Sequence, residues 1–261
     1  MQGHIINKYK IIEKIGSGTF GQVYLGENSR SKEPVAIKVE TINRYIKTLK
    51  YETKIYQVLS NIPGFLHVKW FGRDDCNYYM VMPLLGESLM TLKYYSNPVL
   101  SLAYIFKIGV EMIKRVQKLH ELELIHRDIK PDNFVFGKND DHTLYLIDFG
   151  LTKKYTRSDN TTHMDIEVNK SVVGSPKYAS INVLRGVSPS RRDDLESIVY
   201  ILIYLWDVHD KITFYTIEDK LTIIHNTIIP TQLREALYYC RNLQFAETPD
   251  YTYLIGIFTA I

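Results

Sequence analysis

The hydrophobic pattern of this chain changes period once, and that change limits the folds open to it. Through residue 82, apolar and β-branched residues come in short runs separated by Gly, Asn, Ser and Pro. This pattern predicts strands over 9–15, 21–26 and 34–40, with two more over 66–71 and 77–82. One segment, 46–60, carries Ile46, Leu49, Ile55, Val58 and Leu59 at spacings that predict a helix. After Pro83-Leu84-Leu85-Gly86 the spacing turns helical, most plainly over 101–121, where Leu102, Ile105, Phe106, Gly109, Met112, Ile113, Val116 and Leu119 share a face. Ser101 supplies an N-cap there, and 193–206, 231–243 and 250–261 predict further helices. The expected class is α+β: a small antiparallel sheet with one main helix in 1–82, a hinge at 83–86, and a larger, mostly helical part in 87–261.

Composition narrows the function classes. At 261 residues the chain is long enough to bury a sizeable core without disulfides. Its two cysteines, Cys76 and Cys240, suggest no disulfide framework or metal site and read as inert thiols of a reducing compartment. The longest apolar run, IVYILIYLW at 198–206, has nine residues, about half of the roughly 18 that a membrane span needs, so it reads as a buried helix. The amino terminus lacks the apolar core of a secretory signal. A net charge of +3 does not imply nucleic-acid binding, but the charge is uneven. Residues 150–192 hold eight basic side chains against three acidic ones.

Four strings and one helical carboxylate carry chemistry. Gly16-Ser17-Gly18-Thr19-Phe20-Gly21-Gln22-Val23 fits GxGxxGxV, in which glycines let backbone amides approach a phosphate. A dinucleotide site uses a similar string, yet it needs a strand entering a helix, and here strands are expected on both sides. Val35-Ala36-Ile37-Lys38 follows. A strand lysine is usually a solvated edge residue, but in this context Lys38 would reach the α- and β-phosphates, with Glu52 of the next helix as its partner. His126-Arg127-Asp128-Ile129-Lys130-Pro131-Asp132-Asn133 would supply Asp128 to take the proton of an attacking hydroxyl, Lys130 to neutralise the transferred phosphoryl, and Asn133 to hold Mg2+. Asp148-Phe149-Gly150 would add Asp148 as the second magnesium ligand. Met82 either walls an adenine pocket or fills the core, and His120, closing a helix, reads as structural. The strings arrive in the chain order of the protein-kinase signature.

Residues 174–197, GSPKYASINVLRGVSPSRRDDLES, narrow the resemblance, because Ser-Ile-Asn stands where most protein kinases have Ala-Pro-Glu. With LTKKY, KPDNF, YETKIY and YYCRNLQFAETPDYTYL, this segment resembles the casein kinase 1 family over essentially the whole chain. The resemblance implies a bilobal protein-kinase domain over 1–261 and an ATP- and Mg2+-dependent serine/threonine kinase. It adds Ile15, Gly16, Ser17, Gly18, Gly21, Val23, Ala36, Met82 and Leu85 to the nucleotide-binding set and makes Asp194 the anchor of the catalytic-loop backbone. It implies protein substrates in an acidic or phosphorylated context, met by basic groups, of which Lys154, Arg157 and Lys177 are the candidates. A monomer in the cytoplasm and nucleus, binding no nucleic acid, is expected.

The chain departs from that family at three places. Lys177 replaces an arginine and loses its bidentate fork, which predicts weaker recognition of primed substrates. Segment 207–224 is shorter and lacks the family's glycine, Leu-Pro-Trp and basic stretch, and Pro83 removes an amide donor at the hinge. The sequence stops soon after its last helix, so activity without tail autoinhibition is expected. The alternative function is a pseudokinase scaffold that binds partners without transferring phosphate. A small-molecule kinase is disfavoured by HRDIKPDN and the ASIN segment together.

Overall fold

Short apolar runs that alternate in side chain direction build the first unit. The computed structural model describes residues 1–18, 21–42, 48–95, 100–139, 142–158 and 162–260. These fall into two units, Met1–Glu87 with Val135–Gly150, and Ser88–Phe134 with Leu151–Ile261. Thr19 and Phe20 of the glycine string, Ile46 of the helix expected over 46–60, and Ile261 lie outside the described residues.

In the first unit, β1 (Ile5–Ile6), β2 (Tyr9–Gly18), β3 (Gly21–Asn28) and β4 (Pro34–Thr41) precede helix α1 (Thr48–Leu59), and β5 (Trp70–Arg73) and β6 (Asn77–Pro83) follow it. The six strands form one sheet in the order β1-β2-β3-β4-β6-β5. Neighbouring strands run antiparallel, and β4 is central. Alternate side chains of β4 leave opposite faces. Val35, Ile37 and Val39 join Ile11, Tyr24, Tyr79 and Val81 in an apolar cluster on one face. Ala36, Lys38 and Glu40 leave the other, and they too are buried.

Helix α1 buries Leu49, Glu52, Thr53, Ile55, Tyr56 and Leu59, a stripe at three- and four-residue spacing. Val58, expected on that stripe, points outward and is exposed. The strand expected over 66–71 begins only at Trp70, although Lys69 N already donates to Val81 O (2.8 Å). The segment Val135–Gly150 returns to this unit, where Leu146 N donates to Gly64 O (3.1 Å) and Phe136 exchanges backbone hydrogen bonds with Gly86 and Glu87.

The second unit is helical: α2 (Leu89–Tyr95), α3 (Leu102–Glu121), α4 (Ile181–Leu184), α5 (Arg191–Trp206), α6 (Ile217–Ile223), α7 (Thr231–Asn242) and α8 (Tyr251–Thr259). Ser101 caps α3, its side chain accepting from Tyr104 N. Helix α3 packs on α5 and α8, and α5 also packs on α7. Helix α5 is buried nearly all round, as the 198–206 run predicts. Helices α2, α4 and α6 run for only 4–7 residues, too short for a helical period to declare itself. Among the described residues no helix is long and apolar enough to cross a membrane.

Candidate active site

Lys38 lies in the middle of the sheet, opposite Val23 on β3 and Met80 on β6. Its Nζ sits 3.0 and 2.7 Å from the two carboxylate oxygens of Glu52 and 2.7 Å from Asp148 Oδ1. Burial pulls the Lys38 ammonium down, but the Glu52 and Asp148 carboxylates outweigh it and hold the group above the ordinary lysine range. Burial also pushes the Glu52 carboxyl up to about 7 against the pull of Lys38. The sequence pairs Lys38 with Glu52 and assigns Asp148 to metal; the structure adds the direct Lys38–Asp148 contact.

Asp148 is held at its backbone too, its N–H donating to Tyr56 Oη (3.1 Å). The next residue, Phe149, is fully buried and meets Tyr56 edge to face at a centroid distance of 4.8 Å. Helix α1 therefore grips the Asp-Phe-Gly segment with Tyr56 as well as presenting Glu52 to Lys38.

The remaining sequence candidates of this unit lie on β2, β3, β4 and β6, with Leu85 just after β6. Ala36 precedes Lys38 by two residues and pairs with Met82, while Gly16 pairs with Val23 and Gly18 with Gly21. Both Ala36 and Met82 are buried, whereas Ile15, Ser17 and Gly18 are exposed and Leu85 is half-buried. Gly21 is required by the fold, since at φ +139° an added Cβ would stand 2.3 Å from Val39 O. At Gly18 a Cβ would meet nothing within 4 Å among the described residues.

In the second unit both oxygens of Asp128 are engaged. Oδ1 accepts from Ser175 N (2.9 Å) and Ser175 Oγ (2.8 Å), and Oδ2 accepts from Lys130 Nζ (2.7 Å). Asn133 Nδ2 donates to Asp128 O at 2.9 Å, which directs its amide oxygen away from that carbonyl. Gly174 makes the approach of Ser175 possible: its φ is +83°, and a Cβ there would come 2.3 Å from Arg127 O. Gly174 and Ser175 stand outside the sequence candidates, since a Gly-Ser pair ahead of Lys177 is an ordinary turn signal.

Asp194, near the start of α5, holds the backbone of this loop. His126 N and Arg127 N donate to its two oxygens at 2.7 and 2.9 Å, and His120 Nε2 lies 3.0 Å from Oδ2. Burial works to raise the Asp194 carboxyl, yet His120 and the loop N–H groups hold it below its usual range. The other His120 nitrogen meets Tyr251 Oη at 2.7 Å, so this histidine is a packed structural group.

The three anion candidates do not converge. Lys154 pairs with Glu123 Oε2 at 3.0 Å and lines a cavity of about 410 Å³ with Arg127, Lys153 and Lys170. Arg157 pairs with Asp165, which lines the same cavity, at 2.5 Å. Lys177 lines a separate cavity of about 230 Å³. Its ammonium stands over the Tyr204, Tyr215, Phe214 and Tyr178 rings, with centroids 4.3, 5.2, 5.4 and 5.5 Å away.

A buried lysine braced by two carboxylates, and an aspartate flanked by a lysine and an asparagine, are parts used in phosphoryl transfer. The family model of the protein kinase domain matches residues 9–246, and the chain belongs to the protein kinase family, with its α+β fold and phosphotransferase class.

Proposed function

We propose that the chain is a serine/threonine protein kinase resembling casein kinase 1, transferring the γ-phosphoryl of ATP to hydroxyls near acidic or already phosphorylated residues. The observation that carries this reading is Asp128, whose carboxylate is oriented by Ser175 on one side and Lys130 on the other. The kinase domain is read over 1–261, with 1–82 as one lobe, 83–86 as the hinge and 87–261 as the other, except that Val135–Gly150 belongs with the first unit.

The residues present fit the implied cofactors. Asp148 and Asn133 offer the hard oxygen donors that Mg2+ takes, and Lys38, Gly16, Ser17, Gly18 and Gly21 suit a triphosphate. Ile15, Val23, Ala36, Met82 and Leu85 supply apolar surface for adenine, and Glu52 keeps Lys38 in place. When bound, MgATP supplies the phosphoryl group and the charge neutralisation.

Asp128 would orient the acceptor hydroxyl and take its proton on a carboxylate oxygen as the hydroxyl oxygen bonds to the γ-phosphorus and the bond from that phosphorus to the bridging oxygen breaks, the electron pair leaving with ADP. Lys130 stabilises charge that develops on the transferred group. Fixing both side chains before reaction lowers the reorganisation that the step requires.

The basic cavity supports the acidic-context part of the proposal. Four cations, Arg127, Lys153, Lys154 and Lys170, line it against Asp165 and Glu167, and such an excess raises the local concentration of anions. Lys154, paired with Glu123, acts from its wall, while Arg157 pairs with Asp165 and Lys177 lines a separate cavity. The test compares initial phosphate-transfer rates, with MgATP, on serine peptides with and without a phosphoserine three residues before the acceptor. Preference for the primed peptide, lost in Lys154→Ala/Lys170→Ala and with all transfer lost in Asp128→Asn, is expected. Transfer from wild type without preference would refute the anion-directed part. No transfer from folded protein would favour a scaffold.

A further inference from the structure

Lys220 on α6 is a lysine with no solvent exposure. Its Nζ lies 3.7 Å from the Tyr200 ring centroid and 5.6 Å from that of Phe214, and donates to Lys177 O at 2.8 Å. Burying an ammonium is costly unless it gains specific partners. Here the hydrogen bond goes to the backbone of the segment that carries Ser175.

That segment is tied at its far end by the same group of side chains. Glu196 Oε1 accepts from Ile181 N (3.3 Å), Tyr200 Oη (2.6 Å) and Arg241 Nε (3.3 Å). Arg241 Nη2 in turn donates to Lys220 O (2.8 Å). Ser180 Oγ also donates to Asp193 Oδ1 at 2.5 Å. The backbone from 177 to 181 is thus fixed from α5 and α6, with α7 locking those two together. Two residues before Lys177, Ser175 makes two hydrogen bonds to Asp128.

We propose that Lys220 is a positioning residue for phosphoryl transfer: by holding the Lys177 carbonyl it sets the height of the segment through which Ser175 orients Asp128. Lys220 touches no reacting atom. Its effect reaches the chemistry through three consecutive residues, and a displacement of that path turns the Asp128 carboxylate. The proposal rests on the kinase reading with Asp128 as the acceptor of the hydroxyl proton.

The experiment measures peptide phosphorylation by wild type, Lys220→Met and Lys220→Gln, together with their thermal melting. Methionine keeps the length and apolar stem but has no donor; glutamine restores an N–H. Lys220→Met is expected to lower kcat about tenfold at unchanged KM for ATP, in line with the sensitivity of catalysis to small misplacements. Its melting temperature should equal or exceed that of wild type, since a buried charge is gone. Glutamine should restore most of kcat. Wild-type kcat in a folded Lys220→Met would overturn the inference, as would a fall in kcat matched by a fall in melting temperature. If methionine does not fold, Lys220→Leu takes its place, and failure of both would make Lys220 a determinant of folding and overturn the positioning role. Absence of transfer by wild type would refute the kinase reading itself, a result distinct from all of these.

Discussion

Asp194 accepts the backbone N–H groups of His126 and Arg127 on its two carboxylate oxygens, at 2.7 and 2.9 Å. One buried side chain thereby holds the N–H groups of the two residues immediately before Asp128. Arg127 adopts φ +69°, a conformation that an L residue keeps only when its surroundings impose it. Asp194→Ala leaves two donors without acceptors and should cost on the order of 3 kcal/mol in chemical denaturation. Asp194→Asn, which retains one acceptor oxygen, should lose less. Equal stability of wild type and Asp194→Ala would show that the loop holds itself.

Ser175 gives Asp128 one backbone and one hydroxyl hydrogen bond. Ser175→Ala removes only the second and should lower kcat about tenfold, the scale of one lost charge-assisted hydrogen bond. Ser175→Thr should keep most of the activity. Gly174→Ala should be far more damaging, because a Cβ there would stand 2.3 Å from Arg127 O. Steady-state kinetics on the three variants orders these effects; an active Gly174→Ala would contradict the backbone geometry.

Lys38→Met should reduce transfer by about a thousandfold, the scale of removing a charge that stabilises a phosphoryl group, while the fold persists. The variant also leaves the Glu52 carboxyl buried without its cation. In wild type burial has already raised that group to about 7, so the folded state binds its proton more tightly than the unfolded chain does. Stability from such a group is present at low pH and lost as pH rises through the folded value. Lys38→Met should therefore lose more stability relative to wild type at pH 8 than at pH 5, as read by urea titration. A difference independent of pH would mean that Glu52 stays ionised.

Burial pulls the Lys220 ammonium from 10.5 down to about 7. Glu196 on α5 and Asp219 on its own helix favour the charged form; Arg241 on α7 opposes it. Because the folded value is depressed, the contribution is present above about 10.5 and is lost as pH falls toward 7. The melting temperature of wild type should therefore rise toward that of Lys220→Met as pH is raised through this window. A gap that stays constant would indicate that Lys220 titrates as an ordinary lysine.

Sequence reasoning reaches furthest where chemistry and period coincide. The central strand carrying Lys38 is legible because Val35, Ile37 and Val39 alternate with it, and Glu52 falls on the buried stripe of α1. Asp128, Lys130 and Asn133 stand within six residues of one another, so local spacing suffices to group them. Ser175 escapes because its partner is 47 residues away and a Gly-Ser pair is common in turns. Lys177 reads as an anion-binding cation, and the rings around it go unseen because three of the four, Tyr204, Phe214 and Tyr215, arrive from later in the chain. Lys220 is the least legible: in Ile217-Glu218-Asp219-Lys220 it has the look of a solvated helical charge, and only tertiary packing encloses it.

Helix α5 buries 13 of its 16 residues, including Asp193, Asp194 and Glu196 as well as its aliphatic run. It consequently has almost no outward surface on which a substitution can go unnoticed. On α3 a change at the exposed Lys114 or Lys118 meets water, whereas nearly any change on α5 meets the fit of α3, the fit of α7, or the peptide units before Asp128. Natural variants of this protein should accordingly drift on the outer side of α3 while α5 stays nearly fixed in volume and charge, and libraries built to alter its specificity should leave α5 alone.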